Sequence, residues 1–134
     1  MLDHVFLPVT DVARSVAFYE QALAPLGLTL RVDYDGKDGP PGHPDLKGFG
    51  KDGRLYFWLR AGRVAGEPLH IGFVAASRAQ VEGAYAAAMA AGAADNGAPG
   101  IRAYYDPRYY AANVLDPDGH SLEFVYKSWQ HPQG

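Results

Sequence analysis

Asp3-His4-Val5-Phe6-Leu7-Pro8-Val9 reads as a β-strand of period two, with Val5, Leu7 and Val9 on one side and His4 on the other. Two later stretches repeat that layout. In Leu69-His70-Ile71-Gly72-Phe73 the bulky Leu69, Ile71 and Phe73 oppose His70, and in Ser121-Leu122-Glu123-Phe124-Val125-Tyr126 the residues Leu122, Phe124 and Tyr126 oppose Glu123. If the bulky faces pack against helices, the three polar side chains point into one concavity. Two imidazoles and a carboxylate would there make an open divalent-metal site. With nitrogen and oxygen donors only, iron(II), manganese, zinc and nickel are all admissible. The alternative is two separately hydrogen-bonded histidines and a glutamate facing outward from its strand.

Outward from the first strand, Thr10-Asp11 supplies a helix N-cap, and Val12, Val16, Tyr19 and Leu23 recur at helical spacing until Pro25 and Gly27 stop them. A strand follows from Leu28 to Val32. The glycines and prolines of 35–44 then predict a surface loop or flap, and strands at Leu46 to Gly50 and Arg54 to Arg60 close the first half. After 61–67 the pattern restarts with a strand from Leu69 to Val74. A helix begins at Ser77, where Ser77 and Gln80 form a capping box, and it halts at Gly92. Strands at Ile101 to Tyr105, Tyr109 to Leu115 and His120 to Lys127 complete the chain before a frayed tail, 128–134. Asp116-Pro117-Asp118-Gly119 is a type I turn signature, so the last two strands form a hairpin.

Both halves therefore read strand-helix-strand-strand-strand. A slide of 66 positions lays His4 on His70, Tyr19 on Tyr85, and Asp52-Gly53 on Asp118-Gly119. The 134 residues, 48% of them hydrophobic, suit a single domain over 1–134, with module one at about 1–62 and module two at about 67–128. Twelve Lys and Arg against 15 Asp and Glu give no basic field for nucleic acid. Zero cysteines exclude disulfides, thiolate metal sites and cysteine nucleophiles together. No apolar run approaches a membrane span, and the expected setting is soluble and cytoplasmic.

The chain resembles the vicinal oxygen chelate superfamily, which groups glyoxalases, bleomycin-resistance proteins and extradiol dioxygenases. The resemblance is carried by Asp3-His4-Val5, by 12–19 (VARSVAFY), by Leu69 to Phe73, and by 110–126 (YAANVLDPDGHSLEFVY). It implies an α+β fold of two βαβββ modules forming a curled mixed sheet around a metal-binding funnel, with helices on the outer face. It carries the metal positions over to His4, His70 and Glu123. Homodimerisation is implied as well. Glyoxalase I-type members use a further glutamate on the fourth strand; the 66-residue offset puts Phe57 there, and a slip of one puts Tyr56 or Trp58. None of the three is a carboxylate base, so the arrangement is closer to extradiol dioxygenases, with lyase or isomerase chemistry as the other subtype. The rival implication is a dimeric binding protein that sequesters a small ligand without turning it over.

The hairpin register, centred on 116–119, pairs Ala112 with Glu123 and places Tyr110 on the glutamate's face as a pocket wall or hydrogen-bond donor; ordinary sheet packing is the alternative. Arg102, Tyr104 and Arg108 sit in a turn suited to an anionic or aromatic ligand. Tyr56 and Trp58 share a strand face where a planar substrate could stack. His43, in the Gly-Pro loop, could swing over the opening as a general base. His120 and His131 read as structural or solvent-facing.

Overall fold

Asp11 starts the first helix by accepting a hydrogen bond from the Arg14 amide at 3.0 Å, which satisfies one of the unpaired donors of the first turn. In the computed structural model, which describes residues 2–132, this helix, α1 (Val12–Leu23), follows strand β1 (Val5–Val9). Strands β2 (Thr29–Tyr34), β3 (Leu46–Lys51) and β4 (Arg54–Ala61) complete the first half. Their order across the sheet is β1-β4-β3-β2, with β1 parallel to β4 and the other pairs antiparallel.

The second half repeats that topology. It runs β5 (His70–Val74), α2 (Arg78–Ala90), β6 (Ala94–Asp95), β7 (Gly100–Ile101), β8 (Tyr109–Leu115) and β9 (Ser121–Lys127). Its order is β5-β9-β8-β6, with β7 also pairing β8 and β5 parallel to β9. Half of the capping box at α2 forms as the sequence suggests, with Ser77 Oγ accepting from Gln80 N at 3.1 Å, while Gln80 Oε1 accepts from the Ala76 amide at 2.7 Å, one residue ahead of the N-cap. The fold is thus α+β, two open mixed sheets with two helices rather than a closed barrel.

One apolar core draws on both halves. Leu7, Val9, Phe57 and Leu59 from the first sheet and Val114, Leu122 and Phe124 from the second are all buried in it. The Phe57 and Phe73 rings stack with centroids 5.3 Å apart, and Tyr19 packs on Phe57 at 4.9 Å. Each sheet therefore has one face turned to the core and one face free of helices.

The 116–120 turn couples the halves through buried polar groups. His120 is fully buried; its Nδ1 accepts from the Leu69 amide at 2.9 Å, so the ring proton resides on Nε2 and is donated to the Pro8 carbonyl at 2.8 Å. Tyr19 Oη donates to Asp116, whose other oxygen accepts from the Asp118 and His120 amides. Burial, reinforced by the Asp116 charge, pushes the Tyr19 phenol well above its ordinary range. Asp118 accepts from both the Thr10 amide and the Thr10 hydroxyl at the start of α1.

The same turn corrects the expected hairpin register. A type I turn closes with Gly119 N on Asp116 O at 3.0 Å, and Gly119 then takes φ 87°, the left-handed step of a G1 bulge. That extra residue pairs Asp116 with His120 and Leu115 with Ser121, so Asn113, not Ala112, opposes Glu123. A one-residue slip exchanges the faces of the whole strand. Tyr110 therefore faces α2, where its hydroxyl donates to Glu82 at 2.7 Å, and Tyr109 takes the place expected of it beside Glu123.

Two further expectations change. The strand foreseen at 101–105 shrinks to Gly100–Ile101, because the Tyr105 and Asp106 amides both turn back onto the Arg102 carbonyl. The tail foreseen as frayed begins with a short 3₁₀ turn at Ser128–Gln130, while its last two positions, 133 and 134, lie outside the described residues. Among the described residues no helix is long and apolar enough to cross a membrane.

Candidate functional site

His70 and Glu123 meet on the helix-free face of the second sheet. β5 and β9 are parallel neighbours with His70 aligned to Ser121 and Gly72 to Glu123, which sets the imidazole beside the carboxylate. His70 Nδ1 contacts Ser121 Oγ at 2.8 Å, and its Nε2 lies 3.3 Å from Glu123 Oε1. Two donors bound to one ion at about 2.1 Å and roughly 90–110° apart would lie about 3.0–3.4 Å from each other, so this pair has the spacing of two ligands of a single cation. Gly72, between them in the register, supplies no side chain to intrude.

The glutamate is held at both of its oxygens. Tyr109 Oη donates to Glu123 Oε2, and Asn113 Nδ2 approaches Oε1 at 3.5 Å. Burial, with the Glu123 hydrogen bond and charge adding to it, holds the Tyr109 phenol well above its ordinary range, so it stays protonated and donating at neutral pH. Partners of this kind fix the orientation of a carboxylate, with Oε1 facing His70.

His4 stands elsewhere. Just ahead of β1, it contacts Asp3 Oδ2 through Nδ1 at 2.7 Å and meets the Phe6 ring edge-on at 5.3 Å. The hydrogen bond to His4 holds the Asp3 carboxyl below the usual carboxylate range. The Asp3 carboxylate occupies Nδ1 and leaves Nε2 available, the same atom that His70 turns to Glu123. His4 and His70 both line one groove, together with Tyr56, Ile71 and Phe73. Even so, no three His, Asp or Glu side chains converge closely enough to hold an ion among the described residues.

The register also resolves which residue of the first module corresponds to Glu123. Phe6 aligns with Trp58 as Gly72 aligns with Glu123, so the equivalent is Trp58. Its ring lies on the first sheet's free face, 5.9 Å from Phe6 and directly over Gly48, where an added Cβ would meet the indole at 2.9 Å. Tyr56 carries the Arg54 guanidinium over its ring at 4.8 Å.

The remaining candidates divide sharply. Arg102 is engaged within its own loop, donating to the carbonyls of Gly97, Ala98 and Gly100. Arg108 makes a two-bonded pair with Asp106, both contacts at 3.0 Å, and lies over the Trp129 ring. Neither guanidinium is turned to the His70 and Glu123 pair. Tyr104 is exposed and meets Tyr105 edge-on, and the Tyr105 ring lies tilted against Tyr109. His43 belongs to the first module: its Nδ1 contacts the Pro44 carbonyl at 2.8 Å, its ring abuts Tyr34, and it lines a groove with Phe6, Leu46 and Arg60. Sequence patterning missed Tyr109, Asn113, Lys127 and Trp129. The first two were legible in the Gly119 position, since a glycine ending a type I turn signals the bulge that shifts the register.

Two repeated βαβββ sheets, one of them bringing a histidine and a glutamate to 3.3 Å, define the class of fold. Residues 1–124 match the model of the glyoxalase/bleomycin resistance protein/dioxygenase superfamily, and the chain belongs to it. No curated protein matches the chain. Among solved structures, a glyoxalase/bleomycin resistance protein from Albidiferax ferrireducens is 25% identical with a TM-score of 0.75, covering 94% of this chain and 98% of that one. The fosfomycin resistance protein FosX from Mesorhizobium loti is 17% identical with a TM-score of 0.66, covering 92% and 89% respectively. A glyoxalase I variant from Zea mays is 22% identical with a TM-score of 0.71; the match covers 93% of this chain and 46% of that one. At these identities the last two speak for the fold alone.

Proposed function

We propose that the protein is a divalent-metal-dependent enzyme whose ion is held by His70 and Glu123 of one copy and His4 of a second, and which binds two adjacent oxygens of a small organic substrate. The observation that carries this reading is the 3.3 Å separation of His70 Nε2 and Glu123 Oε1, with Ser121 and Tyr109 supporting the two side chains from outside. The second copy enters because both modules have the same strand order with ligand residues at matching positions. A two-fold axis that lays module one of each copy over module two of the other brings His4 to the pair twice, once per site. Apolar side chains exposed along the β1 and β5 edges, Phe6, Leu69 and Val74, suit such a contact.

A bound ion would supply Lewis acidity to a carbonyl or to an ionised diol, with open positions for the substrate oxygens. The chain's own residues do the rest: Tyr109 keeps its proton and orients Glu123, while Trp58 and Phe6 of the facing module wall the site with apolar surface. Trp58 in the position matching Glu123 leaves no second carboxylate to move a proton there, which favours ring-cleaving oxygenation or lyase chemistry over isomerisation through such a base. The separation of His4 from the pair within one chain favours a second reading, a ligand-sequestering dimer without metal. Protein purified without chelators and analysed for transition metals separates the two. Close to one equivalent per chain supports the enzyme; less than about a tenth, with no tight rebinding of iron(II), manganese, zinc or nickel, supports sequestration.

A further inference from the structure

Beside the His70 and Glu123 pair lies a cation with no assigned role. Lys127 ends β9 on the same strand face as Glu123 and is the direct cross-strand partner of Tyr109. Its ammonium lies 5.7 Å from the Tyr109 ring centre and 5.9 Å from that of Trp129. Among the described residues it pairs with no carboxylate, whereas the nearby Arg108 is already neutralised by Asp106. Two aromatic faces thus hold a positive charge in place without cancelling it.

Tyr109 sets the distance between this charge and the chelating pair. Its hydroxyl is on Glu123 and its ring lies against Lys127, so a single phenol spans the two. The aromatic surface continues outward, with the Tyr105 ring tilted against Tyr109 at 5.0 Å and Trp129 close to half exposed. A flat ligand of about one ring's length, laid along Tyr109, would reach the ion with one end and Lys127 with the other.

We infer that Lys127, with Tyr109 and Trp129, is the specificity element of the site and selects a planar substrate with vicinal oxygens at one end and a carboxylate at the other. This rests on the metal-site reading above and adds to it the charge and shape of the substrate. An ammonium held between two rings and, among the described residues, paired with no carboxylate favours a carboxylate over a neutral group at the same position. The rings favour a flat body over a branched one.

The test measures binding of catechol, 3,4-dihydroxybenzoate and 3,4-dihydroxyphenylacetate to the manganese-loaded, full-length protein and to Lys127→Met, with metal content determined for each sample. The expected result is that at least one carboxylate binds wild type about tenfold or more tighter than catechol. In Lys127→Met that preference should disappear while catechol affinity and metal content stay as in wild type. Lys127→Arg should retain the preference, which a purely structural role for the side chain would not require. Catechol binding as tightly as both carboxylates, or a preference unchanged in Lys127→Met, overturns the inference while leaving the metal site standing. Failure of manganese to bind at all overturns the metal-site reading, and this inference with it.

Discussion

Glu123→Ala should lower the affinity for manganese or iron(II) by at least about 100-fold, more than loss of an outer-shell partner costs. The carboxylate is the only anionic ligand in the proposed set, and its removal leaves neutral imidazoles that hold a hard divalent ion weakly. Glu123→Gln keeps the shape and an oxygen acceptor for Tyr109 but loses the charge, so it separates a folding effect from a ligand effect. It should fold as wild type does and still lose most of the affinity. Isothermal titration with chelator-stripped protein reads both variants, and a Glu123→Gln protein that binds metal like wild type would remove Glu123 from the ligand set.

The second large effect concerns stability. His120→Leu replaces a fully buried imidazole that satisfies the Leu69 amide and the Pro8 carbonyl, one from each side of the junction between modules. Leucine fills much of the volume but bonds to neither group. Each orphaned backbone group costs about 1–3 kcal/mol, so a loss of about 3 kcal/mol or more is expected. In a chain of this size that is roughly a 10 °C fall in melting temperature. The turn around His120 also anchors the start of α1 through Asp118 and Tyr19 through Asp116, so hydrogen exchange should quicken at both places. A variant that melts within a degree or two of wild type would mean the junction is held by apolar packing alone.

Much of this architecture is written in short-range patterns. Alternation at 3–9, 69–73 and 121–126 marks three strands and the faces of His4, His70 and Glu123, because a half-buried strand must separate bulky from polar residues. Asp11, Ser77 and Gln80 mark the helix starts, since first-turn amides need acceptors. The parts that depended on a single residue of register were harder to read. Gly119 adds one bulged residue, and that alone moved Tyr110 onto the helix side and brought Tyr109 and Asn113 to Glu123. Register likewise decided between Phe57, Tyr56 and Trp58 as the partner position of Glu123, a choice the 66-residue offset left open because a bulge in β4 adds one residue, Tyr56, that has no partner on β3. The fates of Arg102 and Arg108 were not legible at all. Their partners are loop carbonyls and Asp106, and which local bond a guanidinium makes is set by turn geometry rather than by residue type.

The most direct test of the proposed site mixes two variants that each lack one ligand, His4→Ala and His70→Ala, after unfolding and joint refolding. Alone, neither should bind manganese tightly. If His4 reaches the His70 and Glu123 pair from a second copy, random pairing restores about one intact site in four, through mixed dimers in which His4 of one chain meets His70 and Glu123 of the other. No recovery on mixing, with both variants folded and dimeric, would contradict the account, since every site would then be missing a ligand from its own chain.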